Sequence, residues 1–278
     1  KKGEKDVLIG TIVAIEPQTG KIVSMFGSDS GEEGTQYTKL AVKDIQAACD
    51  ALRQVYDETL GRDGYVSMEV SPYLAHDTQG TIDEAKRLWA WVDRPNLMVK
   101  IPATHEGLPA IRAVIAEGIN VNVTLLFAQN MYKEVAYAYM SGLEDYVKKH
   151  GANANVGNIA SVASFFVSRI DNTIDGKLQK IIDNPETSEV DRKLAKNLLG
   201  KIAIANAKMA YQDYREIYTS ERWKSLIKAS ARPQRLLWAS TSTKNKAYPD
   251  CLYVDELIGN ETVNTLPLPT LEAFRDHG

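Results

Sequence analysis

Strand and helix patterns alternating along 278 residues predict an α/β fold: a parallel sheet that at this length makes a (β/α)8 TIM-type barrel or most of one, preceded by an N-terminal β-hairpin. Three observations carry this expectation. Six stretches of β-branched and aliphatic residues recur with helical stretches between them, the repeat that builds parallel sheets. One of them, Asn96-Leu-Met-Val-Lys-Ile-Pro-Ala-Thr104, is nearly all apolar and, bounded by Pro95 and Pro102, too short for a typical helix, as expected of a strand buried on both faces. Ahead of the repeat, two β-branched runs are joined by Glu16-Pro-Gln-Thr-Gly20, a hairpin signature. Residues 1–35 are accordingly expected to form a hairpin and linker, and residues 36–278 a barrel domain.

Each element has its own signal. The hairpin strands are Val7 to Ile15 and Lys21 to Phe26, and Ser28 to Gly34, rich in Ser, Gly and acid, reads as a linker. From Thr38 the periodicity becomes helical, with Leu40, Val42, Ile45, Ala48, Leu52 and Val55 on one face. A strand follows over Tyr65 to Val70, and then a helix from Thr81, where Thr81-Ile-Asp-Glu84 has capping-box spacing. After the Asn96 to Thr104 strand comes a helix from Gly107 to Glu117 that stops at Gly118. The alternation continues with a strand over Ile119 to Leu126, a helix over Gln129 to Lys149 and a strand over Ile159 to Ser164. A long helical region then reaches Glu221, and two further strands cover Gln234 to Ser240 and Thr262 to Leu266.

Composition narrows the function. A hydrophobic share of 44%, a charged share of 25% and a net charge of -3, with no dense Lys/Arg tract, argue against nucleic acid as the main partner and favour small molecules. Cys49 and Cys251 are too few for a disulfide framework, no signal peptide opens the chain and no apolar stretch is long enough for a bilayer, so a cytoplasmic protein with no membrane partner is expected. His76, His105, His150 and His277 are scattered without ligand spacing, so no metal is expected.

Lys100 stands near the end of the apolar strand. Burial in low dielectric disfavours an ammonium, so a lysine there can serve as an amine nucleophile, the requirement of Schiff-base chemistry. The bland reading, a lysine at an exposed strand end, stays open on this strand alone.

Five motifs together resemble the transaldolase family, class I aldolase-like enzymes, over about Tyr37 to Gly278. They are Tyr65-Val-Ser-Met-Glu-Val-Ser-Pro-Tyr-Leu-Ala-His-Asp-Thr78, Leu97-Met-Val-Lys-Ile-Pro-Ala-Thr104, Gly118-Ile-Asn-Val-Asn-Val-Thr-Leu-Leu-Phe127, Ser161-Val-Ala-Ser-Phe-Phe-Val-Ser-Arg-Ile-Asp171 and Leu237-Trp-Ala-Ser-Thr-Ser-Thr-Lys-Asn245. The resemblance implies a cofactor-free barrel enzyme that transfers a dihydroxyacetone unit between sugar phosphates. Sedoheptulose 7-phosphate and glyceraldehyde 3-phosphate become erythrose 4-phosphate and fructose 6-phosphate, in the pentose phosphate pathway. It leaves a homo-oligomer open.

The residue roles follow from the resemblance alone. Lys100 falls on the Schiff-base lysine, and Glu69 on the acid that, with a water, handles protons. Asn122 and Thr124 match residues that bond the dihydroxyacetone moiety and position water; Thr124 counts with the catalytic group and Asn122 with the substrate-binding one. Ser164 and Arg169 match the pair that holds the phosphate, and Ser240, Ser242 and Lys244 are expected to complete that site. The bland alternatives are a salt-bridged acid for Glu69, core polar pairing for Asn122 and Thr124, and plain surface charge for Lys244.

The family also has two strand segments before the matched region. One carries an acid–base aspartate and the other a Thr-Ser-Asn-Pro motif; neither is found here, so the resemblance implies a barrel whose first two strands are replaced by the N-terminal β-hairpin, and the family continues past Gly278. The expectation is a fragment, a fusion or a recombined chain. Over about twenty residues the hairpin resembles a segment of penicillin-binding proteins, yet Ser225-Leu-Ile-Lys228 falls on an expected helix and no Lys-Thr-Gly exists. Three functions therefore stand side by side: transaldolase-like transfer, a simple aldolase that releases dihydroxyacetone, and a non-catalytic or impaired barrel.

Overall fold

Helix and strand signals in the sequence become twenty short elements in a computed structural model that describes residues 12–15, 22–25, 32–151 and 154–278, with side chains from Leu40 onward. In chain order they are β1 (Ile12–Ile15), β2 (Ile22–Met25), α1 (Glu32–Ala51), α2 (Arg53–Glu58), β3 (Val66–Glu69), a 3-10 turn (Pro72–Leu74), α3 (Thr78–Val92), β4 (Leu97–Pro102), α4 (Gly107–Ala116), β5 (Val121–Leu126) and α5 (Gln129–His150). The second half holds β6 (Ser161–Phe166), α6 (Ser168–Asp183), α7 (Glu189–Leu198), α8 (Ile202–Ile217), α9 (Glu221–Ile227), β7 (Arg235–Ala239), α10 (Leu252–Leu257), β8 (Thr262–Asn264) and α11 (Leu268–His277). The predicted class holds: β3 to β8 follow one another in a six-stranded sheet, with β3–β4, β4–β5, β6–β7 and β7–β8 parallel, and β1 and β2 form a separate antiparallel pair.

The chain divides into two compact units, of which the first comprises residues 1–124, 137–161 and 225–234. Its strands β3 and β4 pair in parallel, as do β4 and β5. Along each, alternate side chains face opposite ways. One face is apolar and closely covered, with Val66, Met68, Leu97, Val99, Ile101, Val121 and Val123 all buried. Helices α1 and α3 pack on β3 and β4, and each such side chain taken from water stabilises the unit by about 1.5–3 kcal/mol. The other face carries Ser67, Glu69, Lys100, Asn122 and Thr124. Beside this sheet, β1 lies against β3 and β2 against α1.

Several expectations need correction here. The linker assigned to Ser28–Gly34 is helical from Glu32, the start of α1. Leu40 is 61% exposed, because the buried stripe of α1 runs through Ala41, Val42, Ile45, Ala48 and Cys49 and leaves position 40 on the far side; the helix breaks at the buried Leu52, so Val55 belongs to α2, which buries no residue fully. The capping box at Thr81 is not used. Helix α3 starts at Thr78 under Asp77, whose carboxylate accepts the Gly80 N–H at 2.9 Å, while the buried Thr81 hydroxyl donates to the Leu74 carbonyl at 2.9 Å. Gly118, at φ +83°, ends the α4 segment as expected.

The second unit comprises residues 125–136, 162–224 and 235–278. Strand β6 is entirely buried and starts two residues later than expected, so Ser164 lies inside it rather than at its end. It pairs in parallel with β7, and β7 with β8. The expected long helical region is four helices, α6 to α9, broken at the Pro185 turn, at Gly200 (φ +70°) and at Thr219–Ser220. Helix α8 supplies the main cover for β7, burying Ala203, Ile204, Ala207, Ala210, Tyr214 and Ile217 at helical spacing. Trp238 on β7 meets Phe165 edge-on at 6.4 Å and donates its indole N–H to the Leu257 carbonyl at 2.8 Å. Helices α10 and α11 had no forecast, being short and interrupted by charge. Ser225 lies on α9.

Candidate active site

Strand register brings the first group of expected residues together. Glu69 on β3 is the partner of Lys100 on β4, and Lys100 is the partner of Asn122 on β5, so an acid, an amine and an amide form one lateral row. Register partners in a parallel sheet point to the same side. Lys100 Nζ lies 3.4 Å from Glu69 Oε2, with the two side chains 19% and 27% exposed. Lys100 is thus mostly buried but still open to a small molecule, with a carboxylate at hand to exchange protons.

Two further residues frame the row. The Asn122 amide donates to Ser67 Oγ at 3.0 Å, reaching across the lysine strand to β3. Ser67 was not foreseen, although the alternation Val66-Ser-Met-Glu69 puts it on the face of Glu69 and could have found it. Thr124 is the partner of Pro102 one pleat further along, buried at 1% exposure, and its carbonyl accepts the Ala103 N–H at 2.9 Å. Beyond β4, the Thr104 hydroxyl donates to the Ala75 carbonyl at 2.6 Å and accepts the Gly107 N–H at 2.9 Å, tying the strand end to the start of α4.

The second group lies within the other unit. Ser164 is buried inside β6, and Arg169 is exposed in the first turn of α6, its guanidinium 4.8 Å from the Phe166 ring centre. Ser240 follows β7 in a left-handed conformation, φ +58°, and its carbonyl accepts the Ser168 N–H at 3.0 Å. The hydroxyls of Ser168 and Ser240 are 2.7 Å apart. Ser168, the first residue of α6, was also missed; its only signal is its place before Arg169 in the Phe-Val-Ser-Arg run. Lys244 donates to Ser242 Oγ at 2.8 Å. In this unit the start of α6 and the segment after β7 meet at Ser168 and Ser240, with Arg169 next to the first and the Lys244–Ser242 pair further along the second; guanidinium, ammonium and hydroxyl groups are donor types that suit a phosphate.

Behind Arg169, Asp171 is 1% exposed, and burial pushes its carboxyl above the usual range, opposed by hydrogen bonds from the Ala203 N–H and Tyr253. Among the described residues, one trio of metal-type donors comes together: Asp250, Cys251 and His277, with ligand atoms within 4.8 Å. His277 already bonds Asp250 at 3.0 Å and Asp276 at 3.1 Å, which accounts for the grouping. No described helix is long and apolar enough to cross a membrane.

A model of the family described as Transaldolase/Fructose-6-phosphate aldolase matches residues 17–278. The chain is 56% identical over 245 residues to a protein named Transaldolase from Trichodesmium erythraeum, covering 87% of this chain and 62% of that one. It is 52% identical over 252 residues to a Transaldolase from a Parafrankia species, covering 91% and 64%. Transaldolase 1 of Streptomyces avermitilis is 53% identical over 239 residues, covering 86% and 60%. The chain thus spans somewhat less than two thirds of the length of these relatives.

Proposed function

Because the chain belongs to the transaldolase/fructose-6-phosphate aldolase family, whose members are (β/α)8 barrels, we propose that it transfers a dihydroxyacetone unit between sugar phosphates through a Schiff base on Lys100. The observation that carries this reading is the 3.4 Å contact of Lys100 with Glu69 inside the Glu69–Lys100–Asn122 row. The neutral Lys100 amine adds to the C2 carbonyl of a ketose phosphate. Glu69 returns a proton as the carbinolamine hydroxyl leaves as water. The resulting iminium draws the C3–C4 electron pair as that bond breaks, the C4 hydroxyl proton passes to the Glu69 carboxylate left by the previous step and an aldose phosphate departs. The enamine left on Lys100 then adds to the acceptor aldehyde, and hydrolysis frees the amine.

Asn122, supported by Ser67, and Thr124 hold the three-carbon unit on this reading. Ser164, Arg169, Ser240, Ser242 and Lys244 take the phosphate. Sedoheptulose 7-phosphate and fructose 6-phosphate are the proposed donors, in the pentose phosphate pathway of the cytoplasm, where buried free thiols such as Cys49 and Cys251 stay reduced. No cofactor is required, and residues 36–278 are taken as the barrel domain, with 1–35 as its N-terminal addition.

Borohydride reduction in the presence of fructose 6-phosphate tests the reading directly: it should add the mass of a reduced dihydroxyacetone unit to the peptide holding Lys100. No adduct there would end the enzyme reading at its first step. A second reading is supported by the family description, which joins transaldolases to an aldolase. On that reading the dihydroxyacetone unit is released to water. Free dihydroxyacetone accumulating without erythrose 4-phosphate would favour it over transfer.

A further inference from the structure

Two acids one turn apart on α6 reach both ways across the second unit. Asp171 accepts the Ala203 N–H at 2.9 Å on one oxygen and the Tyr253 hydroxyl at 2.8 Å on the other. Asp175 repeats the pattern, accepting the Gly200 N–H at 3.1 Å and the Tyr248 hydroxyl at 2.7 Å. Residues four apart share one helix face, so the two bridges run side by side. On one side they fasten the α7–α8 turn; on the other they hold Tyr248, in the segment between β7 and α10, and Tyr253, on α10. The Tyr248 ring lies directly on Gly200, where an added Cβ would stand 2.9 Å from a ring carbon and where φ is +70°. Only glycine fits beneath that ring without strain.

The fastened segment is the one that bears Ser240, Ser242 and Lys244. Between Ala239 and Leu252 it has no helix or strand, and residues 244–247, 249 and 250 are exposed. Its near end is held by the Ser168–Ser240 contact and by the Thr241 hydroxyl on Asn264 at 2.8 Å. Ordering a free segment costs conformational entropy at every residue, a cost that would fall on ligand binding if the far end were loose. Burial and the facing carboxylates keep the Tyr248 and Tyr253 phenols above their usual range, so both remain hydrogen-bond donors across ordinary pH.

We propose that the Asp171–Tyr253 and Asp175–Tyr248 pairs are a clasp that presets the segment holding Ser240, Ser242 and Lys244 for an anionic phosphate group, making all four positioning residues. This rests on the reading of that segment as a phosphate site. The clasp acts on binding of the phosphate end and not on the amine chemistry of Lys100.

The test compares the parent chain with Tyr248→Phe, Asp175→Asn and Tyr253→Phe, folding being checked by circular dichroism and melting. Three measurements are made: hydrogen exchange of backbone amides over residues 241–250, affinity for inorganic phosphate, and kinetics with fructose 6-phosphate. Faster exchange in the segment is expected, with phosphate affinity lower by roughly threefold to tenfold and KM raised in step while kcat holds. Tyr248→Phe and Asp175→Asn combined should lose no more than either alone. Exchange as slow as in the parent, or faster exchange with phosphate affinity unchanged, overturns the clasp. Should Tyr253→Phe fail to fold, Tyr248→Phe, at a half-buried site, still decides. Borohydride trapping of unphosphorylated dihydroxyacetone separates the two readings: no adduct on the parent's Lys100 sinks the proposed function, whereas an adduct formed equally by parent and variants leaves only the clasp in question. A parent chain without affinity for phosphate overturns the clasp outright.

Discussion

Lys100 and Glu69 stand 3.4 Å apart because they are register partners on adjacent parallel strands, and neither depends on a loop for its position. Lys100→Met keeps the length and apolar stem of the side chain and removes the amine. Trapping should vanish, and the melting temperature should fall by some degrees, because the mostly buried Glu69 carboxylate loses its cation while the apolar stem is kept. Glu69→Gln should fold as well and still trap, with adduct formation slowed by roughly 10²–10⁴-fold for want of a proton carrier. Equal trapping by Lys100→Met and the parent would move the nucleophile to another lysine.

Ser67 acts through Asn122. Removing its hydroxyl in Ser67→Ala takes away an acceptor from an amide that is 6% exposed, at a cost of about 1 kcal/mol. Asn122 is then less firmly aimed, so the expected result is a several-fold loss in kcat/KM with Lys100 trapping retained. Steady-state kinetics beside the trapping assay would expose the error if Ser67→Ala were indistinguishable from the parent.

Much of this was legible in the sequence, and what was not has physical causes. Alternation in Asn120-Val-Asn-Val-Thr124 and in Val66-Ser-Met-Glu69 fixes which residues share a face, and the helical periods fix which elements cover the other. Register is different: that Glu69 faces Lys100, and Lys100 faces Asn122, depends on strand pairing that no single strand encodes. The α3 start was misplaced because Asp77 and Thr81 are both good caps, and tertiary contact, with Thr81 buried against Leu74, decided between them. The Asp171 and Asp175 bonds join residues 25 to 82 positions apart, beyond any local signal.

Cys49 reports on the first unit. Burial, with Asp50 beside it, pushes its thiol up to about 12 from 9.0. Below 9.0 the folded and unfolded chains both carry the protonated thiol, so no pH dependence arises there. Above it the unfolded thiol ionises first, and stability falls as pH climbs from 9.0 towards about 12. Cys49→Ala should flatten that alkaline loss in urea titrations. At pH 8 Cys49 should react with a thiol reagent only at the rate of unfolding; immediate labelling in the folded chain would contradict the burial.

His277 offers the matching measurement in the second unit. Its bonds to Asp250 and Asp276 raise its protonation range, and Asp250 is held below the usual carboxylate range chiefly by the same histidine. A raised folded value means the contribution is complete below the ordinary histidine range and is lost as pH rises through the raised value. His277→Gln should remove that slope between mildly acidic and mildly alkaline pH. An unchanged slope would mean that the surface pairs at the end of α11 are too well screened to matter.

The hairpin is the remaining test, because β1 lies against β3, the strand that carries Glu69, and β2 lies against α1. A deletion ending at Gly31 spares α1, which begins at Glu32, so the deletion removes the hairpin without cutting a helix. If the hairpin covers that side of β3, its loss exposes apolar surface and should cost several kcal/mol, read as a lower urea midpoint with a smaller m-value. The effect should reach the chemistry too. With β3 less firmly held, Glu69 would sit less closely on Lys100, and trapping should slow in the shortened chain while the Lys100 amine remains. A truncated chain with the parent's melting temperature and trapping rate would make residues 1–31 an appendage, with 32–278 sufficient both for the sheet and for the Glu69–Lys100–Asn122 row.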